Sequence, residues 1–420
     1  MTWQILQGDN RQTLRTIADD SVDAIVTDPP YGIDFLGKAW DANTGALETY
    51  QECLRVLKPG GHILAFSAAR TYHHLAVTLE QAGFEIRDQI MWIYSSGFPK
   101  SQDVGRSIQR SLGVKELDRV VDTTKNAGFG QTDHARVRAG EEWSTRARAV
   151  GVVKCTDPEA QAWSGWGTAL KPAHEPICLA RKPMRSSIAK NCQEWGVGAL
   201  NIDACRVPYE DETDRSLIVD WKEKWGGNQA GGAPVFQGVD KPKAGKRTAS
   251  FHNATGGGET QSGGDGSGGW EASQIGRFPS NVIGDIPVYQ KYFYCPKVSR
   301  AERHVGFDDL PDRLCGPGGD DWVQAQDHQR SNENKGNNHP TVKPVALMEY
   351  LIKLITPPGG TVLDPFAGSG STGMAAVALG HTFVGCELDD AYVAIANQRI
   401  QAWLDLHANP DFDRLFETAE

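Results

Sequence analysis

The stretch from Val362 to Gly373, VLDPFAGSGSTG, constrains this chain more than any other: an apolar strand runs straight into a glycine-rich turn that opens a small-residue helix. Glycines let backbone approach a ligand closely, and a helix N-terminus offers it unpaired N–H groups. The next strand, Thr382 to Leu388, carries an acid, Glu387, 17 residues after Gly370. A carboxylate at that place can bind ribose hydroxyls. No Gly-Lys-Ser/Thr follows the turn, which disfavours a phosphate-loop NTPase. Asp364 beside the glycines is also a poor neighbour for a pyrophosphate. A ligand with a ribose and a cationic centre suits this turn better than a dinucleotide. The plainer alternative is a structural turn without a ligand.

A second strand ends in an unusual way at Thr27-Asp28-Pro29-Pro30-Tyr31-Gly32. Two prolines remove N–H donors and fix the local chain. What remains is the Asp28 carboxylate, the Pro29 carbonyl and the Tyr31 ring in one rigid corner. Such a corner accepts hydrogen bonds and stacks on a planar ring, as gripping the exocyclic amine of a base requires. A proline-rich turn of no chemical consequence is the competing explanation.

Around these motifs the chain alternates strands and helices. Strands are predicted at 21–27, 62–66, 84–94, 175–180, 361–364 and 382–388. Helices are predicted at 45–57, 71–82, 344–355, 371–379 and 391–404, with Lys58-Pro59-Gly60-Gly61 as a turn. This rhythm predicts an α/β fold: a Rossmann-like, mostly parallel sheet with helices on both faces. An irregular region is inserted into it. At 420 residues the chain is too long for one ordinary core. Residues 226–276 hold 15 of the 46 glycines, a loop composition.

Charge is divided unevenly. The whole chain carries −10, yet residues 101–200 have 15 Lys and Arg against 11 Asp and Glu. A surface that coats nucleic acid all over is excluded, whereas a local basic face is not. Arg106, Arg110, Arg136, Arg138, Arg146, Arg148, Lys241, Lys243, Lys246 and Arg247 are the candidates for it. Trp163 and Trp166 are expected to pack in a core. Mean hydropathy is −0.44, and no apolar run reaches the roughly 20 residues of a membrane span. The opening segment lacks the pattern of a secretory signal, so a reducing cytoplasm is expected. The eight cysteines form no CxxC pair, and Cys295, His304 and Cys315 match no metal-ligand spacing, so no metal is expected.

Taken together, TDPPYG and DPFAGSGSTG resemble the DNA amino-methyltransferases, which use S-adenosyl-L-methionine to methylate adenine N6 or cytosine N4. With the amine-gripping motif first and the cofactor turn last, the chain is similar to the permuted, beta-type subgroup. The resemblance covers roughly 4–100, 171–183 and 337–398; the stretch between Ile93 and Glu175 is longer than that layout usually shows. It implies a catalytic domain in pieces: 1–100, a strand within 171–184, and 337–420. Between them fall an insertion at 101–170, a target-recognition region at 185–300 and a linker at 301–336. It implies catalytic roles for Asp28, Pro29, Pro30 and Tyr31. Cofactor contacts are implied for Asp364, Pro365, Phe366, Gly368, Ser369, Gly370 and Glu387, for Thr341 and Lys343 ahead of the 344–355 helix, and for Asp9. A helix N-cap is the alternative for Asp9, with Asn10 as its rival. The substrate implied is a flipped base of double-stranded DNA, adenine being favoured because Asp at the first motif position goes mostly with adenine. Cytosine N4 and a catalytically silent specificity subunit are the alternatives. A second copy of the chain and a cognate restriction enzyme are candidate protein partners.

Overall fold

The computed structural model describes residues 2–33, 43–94, 101–114, 117–122, 150–209, 276–284, 297–307 and 336–408. Its framework follows from apolar runs that have no polar face. Strand β2 (Val22–Thr27) is buried along its whole length. Ala24 and Val26 point into one apolar cluster, while Val22 and Ile25 belong to the other. Strand β3 (Leu57–Phe66) alternates likewise, with Leu64 and Phe66 on one side and Ile63 and Ala65 on the other. Strands buried on both faces belong to a parallel sheet covered twice by helices.

Helices α2 (Leu47–Val56) and α3 (Tyr72–Ala82) cover one face through Tyr50, Cys53, Leu75 and Leu79. The other face is covered by α8 (Val345–Ile355) and α9 (Ser371–Ala378) through Leu347, Leu351 and Met374. The sheet is completed by β1 (Trp3–Gln7), β4 (Glu85–Ile93), β7 (His174–Arg181), β8 (Val282–Gly284), β9 (Thr361–Asp364) and β10 (Thr382–Glu387). Strand order is β1-β10-β9-β2-β3-β7-β4-β8. All neighbours are parallel except β7, which runs antiparallel to both β3 and β4. The expected α/β class and mostly parallel sheet are the observed ones.

Two local expectations are corrected. Lys58–Gly61 is not a turn outside the sheet but a bulge within β3: Leu57 pairs with Val22, His62 with Ala24, and Gly60 has φ +79°. Gly60 N–H donates to the Lys182 carbonyl (3.1 Å), Lys182 N–H donates to that of Gly61 (2.9 Å), and the buried Asn191 amide donates to that of Pro59 (2.8 Å). Trp163 and Trp166 do not pack in a core: they are 44% and 62% exposed and meet edge to face at 5.4 Å. They follow α5 (Pro158–Ala162), which packs with α4 (Val104–Ser111) beside a small antiparallel pair, β5 (Leu117–Asp122) with β6 (Val150–Cys155). Within the stretch expected to recognise the target, α6 (Ile188–Trp195) lies against β3 and Val282–Gly284 extends the sheet. Within the expected linker, α7 (Arg300–Arg303) is tied to the core, because Glu302 accepts the first N–H of α8 at 2.6 Å. Arg136, Arg138, Arg146, Arg148, Lys241, Lys243, Lys246, Arg247, Cys295 and Cys315 lie outside the described residues.

Small residues let α9 seat closely. A Cβ on Gly373 would lie 2.5 Å from Ile400 Cδ1 and 2.7 Å from the Phe383 ring. Gly373→Val is expected to cost about 1–3 kcal/mol by overpacking, read as a lower denaturant midpoint with an unchanged slope.

Candidate active site

At the centre of the sheet β2 pairs with β9, Ala24 against Val362 and Ile25 against Leu363. Chain order runs outward from this pair in both directions, to β10 and β1 on one side and β3 on the other. Such a switch point opens a crevice at the carboxyl ends of the strands. Both sequence motifs leave the sheet there. Thr27 Oγ1 donates to Asp364 Oδ1 at 2.7 Å, the Thr372 hydroxyl donates to Oδ2, and Phe366 N–H donates to Oδ1 at 3.0 Å. Burial nevertheless pushes the Asp364 carboxyl up to about 6, against these three donors. Asp364 thus braces the turn from behind.

The turn itself is held from three sides. Gly368 has φ +51°, and its N–H donates to Glu387 at 2.8 Å. The other Glu387 oxygen accepts from Asp389 N–H at 2.9 Å, so the carboxylate is oriented by two backbone donors. A Cβ on Gly368 would lie 2.9 Å from His339 Nε2. His339 is itself fixed by donating Nδ1–H to the Thr341 carbonyl at 2.7 Å, and burial drives it down to about 4, hence neutral. Behind the turn, the buried Arg399 guanidinium donates to the Ser369 carbonyl (2.6 Å) and hydroxyl (3.1 Å). Gly370 faces away: with φ +81° it gives space to Ala396 of α10 (Asp390–His407).

Asp9 and Asn10 divide the work at the end of β1. Asp9 caps α1 (Asn10–Thr13) and pairs with Arg11, which lowers its carboxyl. Asn10 donates to the Pro365 carbonyl at 2.9 Å and accepts from Thr49 at 2.8 Å, tying the turn to two helices. Both border the crevice.

Beside the turn lies a buried polar cluster. Lys343 Nζ is 2.6 Å from Asp28 Oδ2, 3.0 Å from the Tyr31 hydroxyl and 3.4 Å from Glu175 Oε2. The Tyr31 hydroxyl is within donating distance of both Asp28 (2.8 Å) and Glu175 (2.9 Å), and that of Tyr94 lies 3.4 Å from Glu175. Burial pushes Asp28 up, while the Lys343 ammonium opposes the rise. Burial likewise favours neutral lysine, yet Asp28 and Glu175 hold Lys343 above its ordinary value. Tyr31 is raised well above 10 by burial and the two carboxylates, and stays a phenol. Lys343, implied as a cofactor contact ahead of the 344–355 helix, lies against Asp28, Tyr31 and Glu175 in the wall of the same crevice.

One crevice of about 1620 Å³ is lined by Asp9, Asp28, Pro29, Pro30, Tyr31, Thr341, Lys343, Asp364, Pro365, Phe366, Gly368, Ser369 and Glu387. A single small ligand fills roughly 300–1,000 Å³, so this space has room for two. Glu175 and the exposed Leu388 also line it and were missed from sequence. The only signal for Glu175 was a charged residue at the mouth of an apolar strand. Among the described residues no three His, Cys, Asp or Glu side chains form a metal cluster, and His304 instead accepts from Asn337 N–H at 3.1 Å.

The family model described as DNA methylase matches residues 22–398. A 70-residue segment is 43% identical to the type II methyltransferase M2.DpnII of Streptococcus pneumoniae, covering 17% of this chain and 26% of that protein. Over 63 residues the chain is 46% identical to the DNA adenine methyltransferase YhdJ of Escherichia coli K12, covering 15% of this chain and 21% of that protein. The chain thus spans about a quarter of the length of these relatives. Among solved structures, that of the M1.HpyAVI–SAM complex is 18% identical with a TM-score of 0.38, over 95% of this chain and 100% of the other. The cytosine-N4-specific PvuII DNA methyltransferase is 12% identical with a TM-score of 0.40, over 97% and 92%.

Asp364 gives the site a pH signature. Its folded-state pKa lies above the unfolded value, so the unfolded state loses its proton first as pH rises. Stability from this group is full below about pH 4 and is lost up to about pH 6. Relative to Asp364→Asn, the wild type should lose about 2–3 kcal/mol across that window and then level off. Denaturant unfolding of both proteins at each pH measures the difference.

Proposed function

The chain belongs to the DNA methylase family, and from that premise we propose that it transfers a methyl group from S-adenosyl-L-methionine to the exocyclic amine of a flipped DNA base, adenine N6. The observation that carries this reading is the opening of the Asp28 corner and the Gly368 turn onto one crevice sized for two ligands. The residues present fit the cofactor: Gly368 leaves its backbone close to the crevice, and Glu387 presents a fixed carboxylate to ribose hydroxyls.

When bound, the cofactor supplies an electrophilic sulfonium methyl group. The protein's part is to prepare the amine. An aromatic amine is a poor nucleophile because its lone pair is delocalised into the ring. The Asp28 carboxylate and the Pro29 carbonyl accept its two N–H bonds and localise the lone pair. Positioning and electrostatics do the rest. Asp28, its proton affinity raised by burial, then takes the proton that the methylated nitrogen sheds. Tyr31, its hydroxyl tethered to Asp28 and Glu175, offers its ring as a stacking surface.

Flipping costs a few kcal/mol of unstacking, which backbone contacts must recover. Arg106 and Arg110 on α4 are the described candidates, and sequence choice is assigned to 101–170 and 185–300. Adenine is preferred because a carboxylate at the first motif position makes charge-assisted hydrogen bonds, about twice as strong as neutral ones. One matched relative also bears adenine in its name.

Two substitutions separate grip from cofactor binding. Asp28→Ala should lower single-turnover methyl transfer by about 10²–10³ yet keep affinity for S-adenosyl-L-homocysteine. Glu387→Ala should weaken S-adenosyl-L-methionine and S-adenosyl-L-homocysteine alike, since both carry the ribose. Calorimetric titration and rapid-quench kinetics distinguish the pair; near-normal turnover of Asp28→Ala defeats the mechanism. The base is identified by digesting methylated DNA to nucleosides for mass spectrometry. N6-methyl-2′-deoxyadenosine is expected, and N4-methyl-2′-deoxycytidine alone would overturn the assignment to adenine.

A further inference from the structure

The buried cluster is unbalanced in charge. It contains two carboxylates, Asp28 and Glu175, one ammonium, Lys343, and the neutral phenol of Tyr31, all within 3.4 Å of one another through Lys343 or Tyr31. Lys343 alone would neutralise Asp28. A second carboxylate in the same dry space raises the cost of burial, and removing water from an uncompensated charge is expensive. Among the described residues no other cation pairs with Asp28 or Glu175. Lys297 lies 3.9 Å above the Tyr94 ring, and Lys171 is at the rim; both are exposed to screening water. Arg303 is turned to the His339 carbonyl, and Arg11 is paired with Asp9. The cluster lines the same crevice as the Gly368 turn and Glu387. Two carboxylates sharing one ammonium, facing a ligand space, make a seat for a cation.

We propose that Glu175 sets the charge of this cluster at one net negative, and that through this charge the site prefers cationic S-adenosyl-L-methionine over its neutral by-product S-adenosyl-L-homocysteine. The inference rests on the cofactor assignment under Proposed function. The two ligands share the adenine, the ribose and the amino-acid moiety. They differ by one methyl group and one positive charge, so contacts such as Glu387 do not discriminate between them. A charge-setting carboxylate does. It favours loading of the methyl donor and, once the charge is gone, release of the spent one. Glu175 is a positioning residue for Tyr31 and Lys343 as well, so charge must be tested apart from shape.

The experiment is calorimetric titration of the wild type, Glu175→Gln and Glu175→Asp with each ligand, without DNA. Glu175→Gln keeps the shape and removes the charge. It should weaken S-adenosyl-L-methionine about tenfold, the scale of one nearby charge acting through an effective dielectric of about 20. S-adenosyl-L-homocysteine should change by less than about twofold. Glu175→Asp retains the charge and should retain the wild-type ratio of affinities. Taking the ratio within each preparation cancels any loss of folded protein. If Glu175→Gln does not fold, Glu175→Ala, equally neutral, carries the same expectation. Equal weakening of both ligands, an unchanged ratio in the neutral variants, or a collapsed ratio in Glu175→Asp overturns the proposal. A wild type that binds neither ligand refutes the cofactor assignment instead.

Discussion

The parallel pairing of β2 with β9 is the contact on which the site depends. It joins residues near the two ends of the sequence at the middle of the sheet, and the Thr27–Asp364 hydrogen bond seals it. With these strands side by side, a proline corner and a glycine turn become the two walls of one crevice. Neither motif reaches the other through local structure. Lys343 and Asp28 are 315 positions apart, and Tyr31 and Glu175 are 144 apart. The polar cluster therefore exists only after the whole sheet has assembled, and the site is a product of topology.

That position explains why so many polar groups are tolerated inside. Asp364, Arg399 and Asp28 are buried where an apolar side chain would stabilise the core more cheaply. Each has an identifiable task at the crevice: Asp364 fixes the turn after β9, Arg399 holds Ser369, and Asp28 faces the ligand space. By contrast Asp23, buried one strand-length away, is satisfied by Lys58 Nζ (2.6 Å) and Thr361 N–H (2.7 Å) and has no outlet to the crevice. Its role is to tie three segments of the sheet's far end together. Carboxylates in one β2 strand and its exit thus serve opposite purposes, and their partners tell them apart.

Much of this was legible because its signals are local. Apolar runs without a polar face marked β2, β3 and β9, and prolines and glycines marked their exits. Asp28 and Gly368 could be singled out from residue type and strand-end position alone. Lys343 was noticed, but its place against Asp28 was not, since nothing in His339–Pro344 tells which way a side chain some twenty residues from one motif and over three hundred from the other will turn. Glu175 escaped for a sharper reason. In a parallel strand its place, second from the N-terminus, lies at the edge opposite the crevice. Only because β7 runs antiparallel does that end come to the site, with Glu175 paired in register with Trp92. Strand direction is set by neighbours, not by the run EPICLA. Tertiary context also placed the glycine-rich Lys58–Gly61 inside β3 as a bulge, with Gly60 at φ +79° and backbone partners on Lys182 and Asn191.

The reversed strand has a second consequence. β4 ends at the crevice edge with Ile93, and β7 begins there with His174, its partner in the ladder. Everything between them therefore leaves and re-enters the core beside the site. That segment includes α4, with Arg106 and Arg110, and the exposed pair Trp163 and Trp166. It runs back into the crevice wall through Leu170, which is 91% exposed, and Lys171. A conventional parallel continuation would have required a crossover and returned the chain at the opposite edge. β8 then pairs Val282–Gly284 with Met91–Ile93 and also ends at the crevice edge. One antiparallel strand in an otherwise parallel sheet thus gathers the ends of the insertions around the same opening. Under the proposed function, a duplex held by this insertion would meet the Asp28 corner without a long reach.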